Sequence, residues 1–376
     1  MKSSSILVSI FISLALIPNV FGQVNTFNIS PKQKVTDKSG RKENCIVVKI
    51  FYATDRKATR EDEASRYYGL ERNDDGQLSF GTCEVSIPRN HNSVEHNPPK
   101  WNWRLEYLPK ADKVVKLQKT TQKSKDEYFN ELSGCIGLSN REALIFIHGF
   151  RETFESAAKE AAELSYDLGF EGITILYSWP SRGNLLGYAA DEASIEWTAP
   201  HLREFLRQFM TVSQIDSVHL IAHSMGNRAL INVLSSFACE QGRITRQSIQ
   251  QVILAAPDID VGVFSQIAST ILPTAGHITL YASSKDKALF ASRKLHHYQR
   301  LGDTNGGVTI ISGIDTIDVS AVGSDIWGHS YFIDSESVIA DISGILLEKK
   351  TPEISLIGKY CRDKRKTNPI TTMLIR

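Results

Sequence analysis

Short apolar runs alternate with amphipathic segments over the second half of the chain. Continuous apolar runs predict strands that are covered on both faces, at residues 143–147, 173–177, 218–222, 252–256, 278–282 and 308–311. The pattern predicts helices at residues 153–168, 191–210, 227–239, 287–295 and 335–348. Strands that alternate with helices of this length predict an α/β fold with a doubly wound, mostly parallel sheet.

The first half of the chain is less regular. Residues 47–53, 82–87 and 103–108 have the composition of strands, and Pro88 ends the second of them. In doubly wound sheets, ligands bind beyond the carboxyl ends of the strands. We therefore look for functional residues directly after each apolar run.

Residues 1–22 have the pattern of a secretory signal peptide. Lys2 supplies a positive charge, residues 6–17 are apolar, and cleavage is expected before Gln23. The apolar stretch is shorter than a comfortable membrane span, and no later segment reaches about 20 uninterrupted apolar residues. We expect a secreted or periplasmic protein without a stable membrane span, or a membrane-anchored one if the segment is not cleaved.

The composition and charge of the chain give no indication of nucleic acid or zinc as a partner. The 376 residues are 41% hydrophobic and 23% charged, with a formal net charge of +1, so no global field favours nucleic acid. Basic runs at residues 110–125 and 362–366 are interpreted as a solvated face and a tail. The five cysteines form no CxxC pair, which gives no indication of a zinc site and leaves disulfide pairing open.

Ser224 is the candidate nucleophile. It lies in Ala222-His223-Ser224-Met225-Gly226, immediately after an apolar strand and before an amphipathic helix. A sharp strand-to-helix turn of this kind strains the backbone and exposes the serine hydroxyl, and it requires small residues two positions before and after. The alternative is a serine that only caps the helix.

Two backbone N–H groups are candidate donors to a developing oxyanion. Met225 follows the nucleophile at a helix N-terminus, and Phe150 lies in the loop His148-Gly149-Phe150 after an earlier strand. His148 precedes the nucleophile in a fold whose base comes last in the chain, so we expect it to hold the loop.

The base and the acid follow from chain order. His329 comes after the last strand and before the last helix, which is where the base of this fold lies. Asp286, after the strand at 278–282, is the candidate acid. Asp258 and Asp260, after the preceding strand, are alternatives.

Several segments together form a more specific pattern. They are Phe51-Tyr52-Ala53-Thr54-Asp55-Arg56, Cys83-Glu84-Val85-Ser86-Ile87-Pro88, Phe146-Ile147-His148-Gly149-Phe150, Ser178-Trp179-Pro180-Ser181-Arg182-Gly183, the ten residues His219 to Arg228, and Gly328-His329-Ser330-Tyr331. With these segments the chain resembles an α/β-hydrolase family described mainly as a domain of unknown function. The resemblance implies the α/β-hydrolase fold, with the N-terminal strands added to the sheet.

The resemblance sets the division of the chain that we expect. Residues 1–22 are the signal peptide, 23–45 a flexible segment, 46–348 a single catalytic domain, and 349–376 a C-terminal tail. Within the domain, Trp179 and Arg182 either line an acyl or carboxylate pocket or form a rigid packing corner.

These residues predict a serine hydrolase, carboxylesterase- or lipase-like, that forms an acyl-enzyme on Ser224. The expected partner is a small acyl ester or lipid, and no metal or organic cofactor is implied. Amide and thioester substrates stay open because the same triad serves all acyl transfers. The alternative is a catalytically silent hydrolase fold that acts as a binding or scaffold protein. The sequence does not predict the oligomeric state.

Overall fold

The computed structural model describes residues 45–59, 61–88, 114–136, 141–212, 215–240, 249–322, 331–347 and 359–361. The expected signal peptide, the strand at 103–108 and His329 lie outside these residues. Among the described helices, none is both long and apolar enough to cross a membrane.

Ten strands of the described residues form one sheet. In chain order they are β1 (Cys45–Thr54), β4 (Ser79–Pro88), β5 (Lys116–Lys123), β6 (Glu142–Ile147), β7 (Ile173–Ser178), β8 (Ser217–His223), β9 (Ile249–Ala255), β10 (His277–Ala282), β11 (Asp315–Asp318) and β12 (Lys359–Cys361). They lie in the order β12-β11-β10-β9-β8-β6-β7-β1-β4-β5. A separate antiparallel hairpin pairs β2 (Arg56–Ala58) with β3 (Tyr68–Arg72).

The centre of the sheet is parallel and its two ends are antiparallel. The parallel part contains, in spatial order, β1, β7, β6, β8, β9, β10 and β11, and each strand is parallel to its neighbours in this series. At one end β4 and β5 are antiparallel to their neighbours, and at the other end β12 is antiparallel to β11. The predicted α/β-hydrolase fold, with a mostly parallel sheet extended by N-terminal strands, is confirmed.

Helices cover both faces of the sheet. They are α1 (Lys125–Ile136), α2 (Phe154–Asp167), α3 (Tyr188–Val212), α4 (Gly226–Cys239), α5 (Val261–Ile271), α6 (Lys287–His296), α7 (Tyr331–Asp334) and α8 (Glu336–Leu347). Strand β6 shows why the central strands are apolar throughout. Ala143, Ile145 and Ile147 belong to the core under α1, α3, α4 and α5, whereas Leu144 and Phe146 belong to the core under α2 and α8.

One predicted strand is wrong. Residues 308–311 form a loop in which Ile310 is 49% exposed, and the strand lies at Asp315–Asp318 instead. The polar residues of β11 are buried because partners satisfy them: Asp315 pairs with His277 at 2.5 Å, and the Thr316 hydroxyl donates to the Thr309 carbonyl. The apolar pattern of residues 308–311 predicted a strand there, and a search for apolar runs could not detect the polar strand at Asp315–Asp318.

Several described elements were missed, among them the hairpin of β2 and β3 and the short elements α7 and β12. Strand β5 lies within a basic run that we interpreted as a solvated face; it is an edge strand, where lysines are common. Helices α1 and α5 were also not predicted, although both bury apolar residues in the core, such as Leu132 and Phe264.

Because β1 pairs with β7 inside the sheet, we predict that residues 46–348 unfold as one domain. Phe51 on β1 is 5% exposed and packs edge-on against Tyr128, with ring centroids 5.6 Å apart. Phe51→Ala should lower the free energy of unfolding by about 3–5 kcal/mol. Leu186→Ala, at a side chain that is 99% exposed, should change it by less than about 0.5 kcal/mol. Urea unfolding followed by circular dichroism measures both. Two separate transitions, of which Phe51→Ala moves only one, would contradict the prediction.

Candidate active site

The backbone at Ser224 is strained and held in place. Ser224 is buried and has φ +51°, a left-handed conformation that costs a non-glycine residue about 1–3 kcal/mol. Its N–H donates to the Ala255 carbonyl at 2.9 Å, and its carbonyl accepts from the N–H groups of Asn227 and Asp258, each at 3.2 Å. These bonds join the turn between β8 and α4 to the end of β9.

Gly226 allows the first turn of α4 to approach the end of β6. A Cβ atom at position 226 would lie 2.4 Å from the His148 carbonyl oxygen and 2.9 Å from the Ile147 carbonyl oxygen. Any larger residue would therefore push the helix away from the strand. The turn requires a small residue at position 226 because the two carbonyl oxygens leave no space for a Cβ atom.

Gly149 brings the loop after β6 against Ser224. A Cβ atom at position 149 would lie 3.0 Å from the Ser224 Cβ and 2.9 Å from the His223 Nδ1. The next residue, Phe150, stacks edge-on against Tyr188 with centroids 5.1 Å apart. The backbone of the candidate oxyanion loop therefore lies in contact range of Ser224.

Helix α4 begins without a side-chain cap among the described residues. By contrast, the carboxylate or hydroxyl oxygens of Thr153, Asp260 and Asp286 accept backbone N–H groups at the starts of α2, α5 and α6. Met225 immediately precedes α4, at the positive end of its helix dipole. This helix N-terminus is therefore suited to bind a negatively charged group of a ligand.

His148 is fully buried and acts as a neutral hydrogen-bonding group. Its Nδ1 lies 2.8 Å from the Gly149 carbonyl oxygen, which only accepts, so Nδ1 carries the proton. Nε2 then accepts the Trp179 N–H at 3.1 Å. Burial and the adjacent Arg56 guanidinium hold the pKa of His148 well below its usual range. These contacts support the structural role that we expected for this residue.

Trp179 and Arg182 lie in different surroundings. Trp179 is fully buried, stacks on His148 with centroids 5.1 Å apart, and donates its indole N–H to the His148 carbonyl at 2.8 Å. The Arg182 side chain is 40% exposed and pairs with Glu71. Of the two candidate pocket residues, Arg182 is the one that solvent reaches.

Asp258 is surrounded by donors. Arg300 Nε and Ser292 Oγ donate to Oδ1 at 2.7 and 2.6 Å, and Tyr188 Oη and Arg228 Nη2 donate to Oδ2 at 2.5 and 3.3 Å. Burial alone would raise the pKa of Asp258, but the two guanidinium groups lower it below the ordinary value. A carboxylate has about four lone-pair positions, so these donors occupy its acceptor capacity.

Asp286 lies after β10 and is 1% exposed. Its Oδ1 accepts the Leu289 N–H at 2.9 Å and so caps α6. In the sheet, β9 separates β10 from β8, the strand that ends directly before Ser224. The structure therefore brings Ser224, Asp286, Asp258 and the His148 loop to one edge of the sheet.

The sequence reasoning missed two residues that support this edge. The sequence placed Arg56 in a motif but predicted no role for it, yet its side chain is fully buried beside His148. Asp191 accepts the Ser181 hydroxyl at 2.5 Å and the Arg182 N–H at 2.9 Å, which holds the segment after β7. A charged residue directly after an apolar strand was the available signal for Arg56. Among the described residues, no group of three or more His, Cys, Asp or Glu side chains is arranged to hold a metal ion.

The low pKa of His148 predicts a pH dependence of stability. In the unfolded chain a histidine titrates near pH ~6.5, so the unfolded state binds more protons than the folded state below that pH. Stability from neutral His148 is complete above this value and is lost as the pH falls, by at most about 1.4 kcal/mol per pH unit. Urea unfolding at pH 7.5 and 5.5 should show a larger loss for the wild type than for His148→Gln. Equal losses in the two proteins would contradict this assignment.

Comparison with known proteins identifies a family. Residues 124–348, more than half of the chain, match the model of "Alpha/beta hydrolase of unknown function (DUF900)". No curated protein was found to match. The chain is similar to the putative cell surface hydrolase from Lactobacillus plantarum WCFS1, with 10% identity, TM-score 0.34, and 56% of this chain and 94% of that chain covered.

Two esterases are also among the similar solved structures. Carboxylesterase CesB (YbfK) from Bacillus subtilis has 11% identity and TM-score 0.32, with 56% of this chain and 85% of that chain covered. A structure from a study of two fungal esterases from Rhizomucor miehei has 12% identity and TM-score 0.33, with 79% of this chain and 84% of that chain covered. On the family match, the chain belongs to the alpha/beta hydrolases of unknown function (DUF900).

Proposed function

We propose that the protein is a serine hydrolase that cleaves acyl esters through an acyl-enzyme on Ser224. The observation that carries this proposal is the left-handed backbone of Ser224, which is held against the Gly149 loop. Strain of this kind is retained where the surrounding structure needs it, and such positions cluster at active sites. The strand-to-helix context is the one expected for a nucleophilic serine.

The chemistry follows the order of the residues in the chain. Ser224 Oγ attacks the ester carbonyl carbon while His329 takes the hydroxyl proton. The N–H groups of Phe150 and Met225 stabilise the tetrahedral oxyanion. Collapse of the intermediate breaks the ester C–O bond, and His329 returns the proton to the leaving alcohol. A water molecule, deprotonated by His329, then releases the acid.

Asp286 suits the role of the acid better than Asp258 does. In the sheet, β8 leads into Ser224 and β10 is followed by Asp286, with only β9 between them, so two strand spacings, about 9–10 Å, separate the two strands. Asp258 already accepts four hydrogen bonds and is neutralised by two arginines. In this proposal Asp286 fixes the tautomer of His329 and stabilises the imidazolium.

The proposed substrate is a small carboxylester or lipid. The side chains next to the Gly149 loop are aromatic, since Phe150 packs on Tyr188, and they suit an apolar acyl group better than a charged one. We also propose that the protein is exported, on the pattern of residues 1–22. N-terminal sequencing of the mature protein should give Gln23 as its first residue, and an intact Met1 would contradict export with cleavage.

Removal of the nucleophile tests the proposal. Ser224→Ala should lower kcat for short p-nitrophenyl esters by about 10⁴-fold or more, because no acyl-enzyme can form. Ser235→Ala is the matched control, since Ser235 lies on α4 and its hydroxyl bonds only to the Ile231 carbonyl one turn earlier. A wild type that hydrolyses none of these esters, nor the matching thioesters and amides, would favour the scaffold alternative. Full activity in Ser224→Ala would exclude this site.

The acid can be tested without disturbing its helix cap. Asp286 and Asp260 both cap a helix by accepting an N–H at 2.9 Å, and asparagine caps about as well as aspartate. Asp286→Asn should lower kcat by about 10⁴-fold, the loss expected when the imidazole tautomer is no longer fixed. Asp260→Asn, which replaces the cap of α5 in the same way, should stay within about twofold of wild type, and a loss of kcat in this variant alone would transfer the role of the acid to Asp260. An unchanged kcat in folded Asp286→Asn would transfer the role to Asp258.

A further inference from the structure

Arg56 is a buried cation that comes from outside the matched family region. It begins β2, directly after the first strand of the sheet, and its side chain is fully buried. The family match begins only at residue 124. The N-terminal part of the chain thus contributes a charged side chain to the edge of the sheet where Ser224 lies.

The guanidinium group uses all of its donors on the loops of this edge. Nε donates to Ser178 Oγ at 2.9 Å, Nη1 to the carbonyls of Gly69 and Ser181 at 3.2 Å each, and Nη2 to the Glu152 carbonyl at 2.8 Å and towards His148 Nε2 at 3.4 Å. Three of these five acceptors belong to the loops after β6 and β7, and a fourth, Ser178, is the last residue of β7. A planar fork of five donors is specific to arginine, and lysine cannot reproduce it.

The group is charged at neutral pH. Burial lowers the pKa of Arg56 to about 10, and the carboxylates of Asp55, Asp191 and Glu152 oppose that decrease. A cation next to Nε2 disfavours protonation of the imidazole at that atom. Burial is the main cause that keeps His148 neutral, and the guanidinium adds to it. Together with the Trp179 N–H, which donates to Nε2 at 3.1 Å, the guanidinium leaves the proton on Nδ1.

This tautomer determines the direction of a peptide group. His148 Nδ1–H donates to the Gly149 carbonyl at 2.8 Å. The Gly149 carbonyl and the Phe150 N–H belong to one planar peptide unit, so they point in opposite directions. A bond that fixes the carbonyl therefore also fixes the N–H that would face the oxyanion. The same bond polarises the peptide and strengthens its N–H as a donor.

We propose that Arg56 is a positioning residue that, through His148, orients the Phe150 N–H of the oxyanion hole. The proposal rests on the proposed function, because that N–H matters only if Ser224 forms an oxyanion. Arg56 does not touch the substrate; it acts on the peptide group through one imidazole. The N-terminal strands are then part of the catalytic unit.

The experiment measures kcat, KM and inhibition by a trifluoromethyl ketone, which forms an oxyanion adduct with the nucleophile. Arg56→Lys and Arg56→Gln should lower kcat about 10–100-fold, the usual effect of losing an outer-shell partner, and leave KM within about threefold. Affinity for the ketone should fall by the same factor as kcat/KM, because both depend on oxyanion stabilisation. A variant that is partly unfolded contains fewer active sites. Titration of the active sites with a fluorophosphonate gives their concentration, so that kcat is calculated per active site.

A milder variant covers the case in which the Arg56 variants do not fold. Ser178→Ala removes the acceptor of the Arg56 Nε, together with a hydroxyl that lies 3.3 Å from His148 Nε2, and should lower kcat about fivefold. Ser165→Ala is the matched control, a buried serine whose hydroxyl bonds to Thr174 at 2.8 Å, and it should leave kcat unchanged.

The outcomes separate the two proposals. Activity that is lost in Ser224→Ala but unchanged in folded Arg56→Gln overturns the role of Arg56 and leaves the proposed function standing. If the Arg56 variants are unfolded, an unchanged kcat in Ser178→Ala overturns the role of Arg56 and leaves the proposed function standing. A rise in KM with unchanged kcat also overturns it. Activity that survives in Ser224→Ala overturns the proposed function itself.

Discussion

The contact between Gly226 and the end of β6 fixes the geometry on which the candidate site depends. Because no Cβ intervenes, α4 begins directly against the carbonyl oxygens of Ile147 and His148. That approach places the turn at Ser224 beside Gly149, where a second missing Cβ lets the two backbones meet. A strained serine, a helix N-terminus and a loop with a candidate donor thus converge, and the His223 ring packs against Gly149. Sites built this way are preorganised, which is what electrostatic stabilisation of an oxyanion requires.

Three arginines hold the segments around this turn. Arg228 and Arg300 neutralise Asp258, whose N–H bonds to the Ser224 carbonyl. Arg56 holds the loops after β6 and β7. Buried charges of this kind contribute little net stability compared with apolar packing, and removal of one partner is costly. Their presence beside a strained residue is better explained by the need to fix loop positions than by stability alone.

The sequence predicted most elements whose signal is local, although helices α1 and α5 were missed. The turn at Ser224 was predictable because the apolar strand before it, the small Gly226 and the amphipathic helix after it are adjacent in the chain. The position of β11 was not, because Asp315 and Thr316 are polar residues that are buried, and His277, which pairs with Asp315, lies on β10. Arg56 and His148 are 92 positions apart, and only the fold shows that they meet. The same applies to Asp258, whose four donors come from three separate segments.

Mass spectrometry of a covalent adduct shows whether Ser224 is a nucleophile. The protein is incubated with a fluorophosphonate, digested, and mapped by peptide sequencing. We expect one phosphonyl group per folded chain, attached to Ser224, and no adduct after denaturation. A folded wild-type protein that carries no adduct, or that carries it on another residue, would show that Ser224 is not the nucleophile.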